Sequence, residues 1–163
     1  MLLIAKKLSD LSFSSLMEIY IEGNREKAAD EWPHLPDSFA LQQAEQDFYL
    51  YLNDVFFKTS DAFYAIWQLE GKYVSALRLE PYRDGLLLEA LETHPEYRRN
   101  GYGKALVLAV ISCNPGKKIY SHIHKKNMPS IALHRSCGFE KILDHAAYID
   151  GSVNHRAYTF VHG

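Results

Sequence analysis

Cysteine is scarce: Cys113 and Cys137 are the only two in 163 residues. Two thiols cannot form a disulfide framework or a cysteine zinc site, and no metal is expected. Long apolar runs are missing too. The longest, Ala105 to Ile111, falls far short of the roughly 20 residues that a membrane-spanning helix requires. No charge sign dominates, since eighteen Lys plus Arg stand against twenty Asp plus Glu. A net charge of −2 supplies no global field for nucleic acid or an anionic membrane, so neither is expected as a partner. Lys6 and Lys7 follow the first apolar residues and no small-residue cleavage site is visible, which predicts a cytoplasmic protein without a signal peptide. Repeats and linkers are absent. With 47% hydrophobic residues, the chain is expected to be one globular domain over 1–163.

The pattern of elements predicts a layered α/β fold. Leu2 to Leu8 reads as a short strand. Ser15 and Glu18 have capping-box spacing and place a helix from Ser15 to about Asp30. Pro33 and Pro36 end it, and a second helix begins near Ser38. There Leu41, Ala44, Phe48, Leu52 and Val55 recur at steps of three and four, giving one apolar face. Ala62–Glu70 and Lys72–Glu80 read as strands of a hairpin turning at Glu70-Gly71. Asp84-Gly85 is expected to supply a positive φ before a third strand, Leu86–Thr93. A helix over Gly103–Ser112, a strand over Lys118–Lys125, a helix over Pro129–Cys137 and a closing hairpin broken at Asp150-Gly151 complete the chain. This order predicts a mixed sheet with helices on its faces.

The chemistry concentrates between Leu86 and Leu106. A strand ends in a loop carrying Arg98, Arg99, Asn100, Gly101, Tyr102, Gly103 and Lys104, which opens directly into a helix. The glycines let a ligand approach the backbone without meeting a Cβ. The first amides of the helix have no internal partner and lie at the positive end of its dipole. Flanked by cationic side chains, they suit a phosphate or pyrophosphate. A Walker A loop is excluded, because Arg98 and Ala105 occupy positions that require Gly and Ser or Thr. A dinucleotide fingerprint fails at Leu106, where its third Gly belongs.

The spacing Arg98-x-x-Gly101-x-Gly103, after a strand and a Pro-containing turn, resembles the acyl-CoA signature of the GNAT superfamily of N-acetyltransferases. A second stretch, Asn127 to Phe139, is similar to that superfamily's later motif, with an Asn after a strand, a short helix and a terminal Gly-Phe. The resemblance implies a sheet of about seven mostly antiparallel strands with helices on both faces. It also implies acetyl-CoA as cosubstrate. Leu91, Glu92 and Thr93 would pair with the pantetheine arm as a peptide-like strand. Arg98 to Lys104 would hold the diphosphate, and Asn127 would bond the pantetheine.

Family chemistry is direct attack of a primary amine on the thioester. An alkyl ammonium with pKa ~10.4 must lose its proton, a deficit of about 4.6 kcal/mol at pH 7. Glu89 is the candidate base, acting through a water. By strict alternation it shares a face with Leu91 and Thr93, while Glu92 points to the other. His134 occupies the position where many family members carry a Tyr that protonates the leaving thiolate, and is the candidate acid. His122 and His124 read as an ordinary strand pair and Cys137 as a buried thiol.

The acceptor pocket would draw on the first two helices and the last hairpin, with aromatics such as Trp32, Tyr51 and Tyr148. A small-molecule amine is the expected acceptor. A protein N-terminus or lysine, a catalytically silent acyl-CoA sensor and a nucleotide-phosphate binder are the alternatives. A homodimer through the terminal hairpin or an exposed sheet edge is compatible with the pattern, though no motif marks it.

Overall fold

The computed structural model describes all 163 residues. Strand β1 (Leu2–Ala5) is followed by helices α1 (Phe13–Ile19), α2 (Ile21–Glu31) and α3 (Asp37–Asp54). Strands β2 (Phe63–Leu69), β3 (Lys72–Tyr82) and β4 (Gly85–Thr93) form a meander. Helix α4 (Tyr102–Cys113), β5 (Lys118–His124) and α5 (Met128–Ser136) come next. The chain ends in β6 (Glu140–Leu143), β7 (Ala146–Ala147), β8 (Val153–Asn154) and β9 (Ala157–His162).

Seven strands make one sheet in the order β1-β2-β3-β4-β5-β9-β6, and β7 and β8 form a separate two-stranded hairpin. Every pairing in the sheet is antiparallel except β4 with β5. That parallel pairing is short. It joins Gly85–Leu88 to Lys118–Ser121, after which the two strands part. Beyond it, Glu89–Thr93 keep β3 on one side, and His122–His124 keep β9. The backbone edges facing the split are left without each other.

Helix α4 carries its apolar residues where a sheet can bury them. Leu106, Val107 and Val110 are fully buried at helical spacing against Leu77, Leu79, Leu88 and Ile119. Each such side chain contributes about 1.5–3 kcal/mol relative to exposure. On the opposite face Leu16, Ile19, Leu52 and Phe56 pack on Tyr64 and Ile66. No helix is long and apolar enough to cross a membrane.

Three local expectations need correction. Helix α1 starts one turn earlier than the Ser15–Glu18 box indicates, because Ser12 is the cap and its Oγ accepts the Ser15 amide at 3.4 Å. The helix then breaks at Tyr20, which separates α1 from α2. Gly85 does not supply a positive φ. Arg83 does, at 49°, and Gly85 serves instead to let β4 close on the Lys118 carbonyl. The last stretch does close as a hairpin, with β6 paired to β9 and β7 to β8 around the turn at Asp150-Gly151, and β9 also pairs with β5, so it lies between β5 and β6.

Candidate active site

Strand β4 is not regular where it leaves β5. Arg78 faces Glu89 and Ala76 faces Glu92, so Ala90 and Leu91 together oppose the single residue Leu77. This is a β-bulge, and Ala90 takes φ +52° to make it. The buried Tyr20 hydroxyl donates to the Ala90 carbonyl at 2.6 Å and accepts from the Tyr64 hydroxyl at 3.3 Å. Burial pushes both phenols above their ordinary range, so both remain donors.

The extra residue overturns the strict alternation. Leu91 packs with the α4-side core, and Thr93 faces Gly103. Glu89 bonds Arg78, whose guanidinium lies 4.8 Å from the Tyr51 ring, and Glu92 reaches Arg98, which also holds Glu22 of α2. Glu89 therefore shares a face with Glu92, away from Leu91 and Thr93. Period-two reasoning fails at a bulge because one residue is left unpaired.

After Thr93 the chain turns through Pro95–Tyr97 into the glycine loop. Arg99 and Gly101 both have positive φ, 62° and 79°. The Asn100 amide donates back to the Tyr97 and Arg98 carbonyls at 3.1 and 3.0 Å and fixes the loop. The first amide of α4 to find a helical acceptor is that of Ala105, which donates to Gly101 at 2.9 Å. Gly101 has no side chain to cap the helix, so the amides of Tyr102, Gly103 and Lys104 stay free.

These amides border a cavity of about 420 Å³ between β4, the loop, α4 and the start of α5. Leu91, Glu92, Thr93, Arg98, Arg99, Gly101, Tyr102, Gly103, Lys104 and Asn127 all line it. Asn100 does not; its side chain is spent inside the loop. Tyr97, Pro129, Ser130 and Leu133 also line it and were missed. The last three belong to the first turns of α5, and their proximity to Asn127 was the available signal. Asn127 caps α5, its Oδ1 accepting the Ser130 amide at 3.2 Å, and its NH₂ has no partner in the chain. A larger cavity of about 730 Å³ lies between α2 and α3 near Trp32 and Leu35. It contains none of the expected coenzyme-binding or catalytic residues, though Trp32, expected among the acceptor-pocket aromatics, lines it.

The three cations at the loop are not equivalent. Arg98 is held by Glu22 at 2.8 Å and Glu92 at 3.2 Å, and it braces α2 against β4. Arg99 and Lys104 have no carboxylate partner and are the ones available to an anion. No three His, Cys, Asp or Glu side chains are placed to hold a metal ion.

His134 sits apart from the cavity, 1% exposed, with its ring edge-on to Phe139 at 5.0 Å. The Ser130 carbonyl, 2.8 Å from Nδ1, can only accept, so the proton of the neutral ring is on Nδ1 and Nε2 is a buried lone pair without a partner. Burial pushes its pKa down. In this arrangement the ring's proton points to the Ser130 carbonyl rather than to the cavity, which does not favour the expected role as thiolate acid. Because the folded state favours the neutral ring, His134 supports the fold above the unfolded value of about 6.5 and loses that support as pH falls below it, at most about 1.4 kcal/mol per pH unit. The urea midpoint should drop between pH 7.5 and pH 5, and His134→Leu should shrink that drop. The variant should also gain about 1 kcal/mol at pH 7.5 by removing the orphaned nitrogen.

The Acetyltransferase (GNAT) family matches residues 15–139 of the chain. No curated protein sequence matches significantly. Among solved structures, the PaiA N-acetyltransferase of Thermoplasma acidophilum in complex with coenzyme A is similar at TM-score 0.60 and 14% identity, over 99% of this chain and 98% of its own. The ribosomal-protein-S18-alanine N-acetyltransferase of Escherichia coli is similar at 0.59 and 17%, over 99% and 92%. An N-acetyltransferase of Staphylococcus aureus Mu50 is similar at 0.63 and 13%, over 98% and 100%. At these identities the structures speak for the fold, while the family match runs through both motifs. This chain is a member of the GNAT acetyltransferase family.

Proposed function

We propose that the protein transfers the acetyl group of acetyl-CoA to the primary amine of a small molecule, by direct attack in a ternary complex. The observation that carries this reading is the strand split opening onto the free amides of α4. A peptide-like pantetheine fits the unpaired edge of Leu91–Thr93 as an added strand. The Tyr102, Gly103 and Lys104 amides, with Arg99 and Lys104 side chains, take the diphosphate. Asn127 offers its NH₂ to the arm between them.

Glu89 lies on the other sheet face from the coenzyme cavity, toward α3, with its carboxylate 3.4 Å from Arg78. On that side it meets an amine arriving from the helical face and draws the ammonium toward the split. Once the ammonium has given up a proton, its freed lone pair attacks the carbonyl carbon, the C–N bond forms as the C–S bond breaks, and the sulfur departs as a thiolate whose pKa of about 8.5 makes it a fair leaving group unaided.

A thiol-release assay with acetyl-CoA against polyamines, aminoglycosides, amino acids and short peptides tests this. Release is expected with a small amine, and Glu89→Gln should lower turnover more than tenfold at unchanged acetyl-CoA affinity. Release with peptides alone would move the acceptor to protein. Tight acetyl-CoA binding with no release on any amine would identify a sensor.

A further inference from the structure

His122 stands at the first position of β5 beyond its pairing with β4, and Glu89 is the corresponding first position of β4. Both lie on the sheet face away from α4. His122 is packed between two phenols: its ring is 5.5 Å from that of Tyr82 and 5.2 Å from that of Tyr148, edge to face in each case. Its Nε2 is 3.4 Å from the Tyr82 hydroxyl.

That hydroxyl has already used its proton. It donates to the Ala147 carbonyl in the β7–β8 hairpin, which has no proton to give. Toward His122 the Tyr82 oxygen can therefore only accept. The neutral imidazole must carry its hydrogen on Nε2, leaving the lone pair on Nδ1. Nδ1 makes no hydrogen bond within the chain and is not among the buried unpartnered atoms, so it is open to solvent or ligand. A base with a fixed tautomer, oriented by a third group, is the arrangement that proton abstraction requires.

We propose that His122 is the catalytic base of this acetyltransferase, with Nδ1 taking the proton of the incoming ammonium and Tyr82 holding the ring. This rests on the acetyltransfer reading above. The ammonium gives one proton to Nδ1, and its freed lone pair forms the C–N bond as the C–S bond breaks. The second N–H proton ends on the sulfur, yielding amide and thiol, and the imidazolium returns its proton to water. Glu89 remains the carboxylate that orients the ammonium.

The charged and titratable groups around the ring are Tyr82 on β3, Arg83 in the following turn and Tyr148 beside β7, while Glu89 is the first residue of β4 beyond the ladder, across the split. Thr159 on β9 lies opposite in register. Burial first, and the Arg83 charge second, lower the His122 pKa, so the ring is neutral at pH 7.

The test is kinetic and spectroscopic. For the best amine found, kcat/KM of the wild type should be flat from about pH 7 to 9. His122→Gln should lose about 10²-fold at pH 7 and rise about tenfold per pH unit toward the amine pKa, because only free amine then reacts. The Kd for acetyl-CoA should stay within twofold. Added imidazole should restore part of the rate of His122→Ala, which a packing role would not allow. Nitrogen-detected NMR of the resting protein should show the Nε2–H tautomer. An Nδ1–H tautomer, or an active wild type with His122→Gln within threefold and an unchanged pH profile, overturns this inference alone. A wild type inactive on every amine overturns the acetyltransfer reading and this one with it.

Discussion

Gly85→Ala should lower stability by more than 3 kcal/mol and the melting temperature by about 10 °C. A Cβ built on Gly85 lies 2.1 Å from the Lys118 carbonyl oxygen and 2.9 Å from its carbon. Ordinary C···O contacts are about 3.3 Å or more, so the two backbones must separate by over an ångström. Both atoms belong to main chain, and no side chain can rotate out of the way. The contact falls on the first of only four residue pairs that join β4 to β5. That ladder is the only strand pairing between the β1–β4 half of the sheet and the β5-β9-β6 half. Gly71→Ala is the control. Its φ is +80° and nothing lies within 4 Å, so it should cost only the conformational term of about 1–2 kcal/mol. Urea unfolding of both variants separates the two causes. A Gly85→Ala midpoint equal to that of Gly71→Ala would mean that the strands give way freely. Coenzyme affinity should fall in Gly85→Ala as well, since the same pairs set where the split begins.

What was legible in the sequence had short-range causes. The α4 helix announced itself through its apolar run and the glycine loop before it, and α5 through Asn127, Pro129 and Gly138. The cavity beside the loop followed from the same features, since its lining is contiguous in the loop and at two element ends. What escaped was set by tertiary geometry. The bulge at Ala90 depends on a hydroxyl from Tyr20, 70 residues away in sequence, and nothing local marks Ala90 for a positive φ. Without the bulge, alternation put Glu89 on the wrong face. His134 looked like a donor by its spacing from Asn127, yet the Ser130 carbonyl one turn earlier in α5 claims its proton. His122 read as an ordinary strand residue because Tyr82, and the Ala147 carbonyl that takes the Tyr82 proton, come from a different strand and a later hairpin. Asp84-Gly85 resembled a turn signal, while the need for glycine arises from β5, which is more than 30 residues downstream.

Gly103→Val should weaken coenzyme A binding at least 100-fold, about 2.7 kcal/mol, while the protein still folds. A single Cβ at Gly103 would stand 3.3 Å from Leu133 Cδ1 and 3.3 Å from Thr93 Oγ1. Leu133 could shift by a few tenths of an ångström to admit it. Thr93 is less free, since its Oγ1 is bonded to Ser75 Oγ at 3.1 Å, and Ser75 in turn holds the Glu92 carbonyl at 2.9 Å. Two further methyl groups must therefore project toward the cavity or push α5 outward. Overpacking of this kind costs about 1–3 kcal/mol, which a domain of this size survives. The cavity loses more, because the added carbons shield the free amides at the start of α4. Gly101→Ala distinguishes sterics from backbone strain. Its φ is +79° with open space around it, so the loop is strained without being filled, and affinity should fall only about tenfold, roughly 1.4 kcal/mol. Titration calorimetry with coenzyme A reads both. If Gly103→Val binds as well as Gly101→Ala, the diphosphate does not rest on the α4 amides, and the coenzyme must approach the strand split from elsewhere.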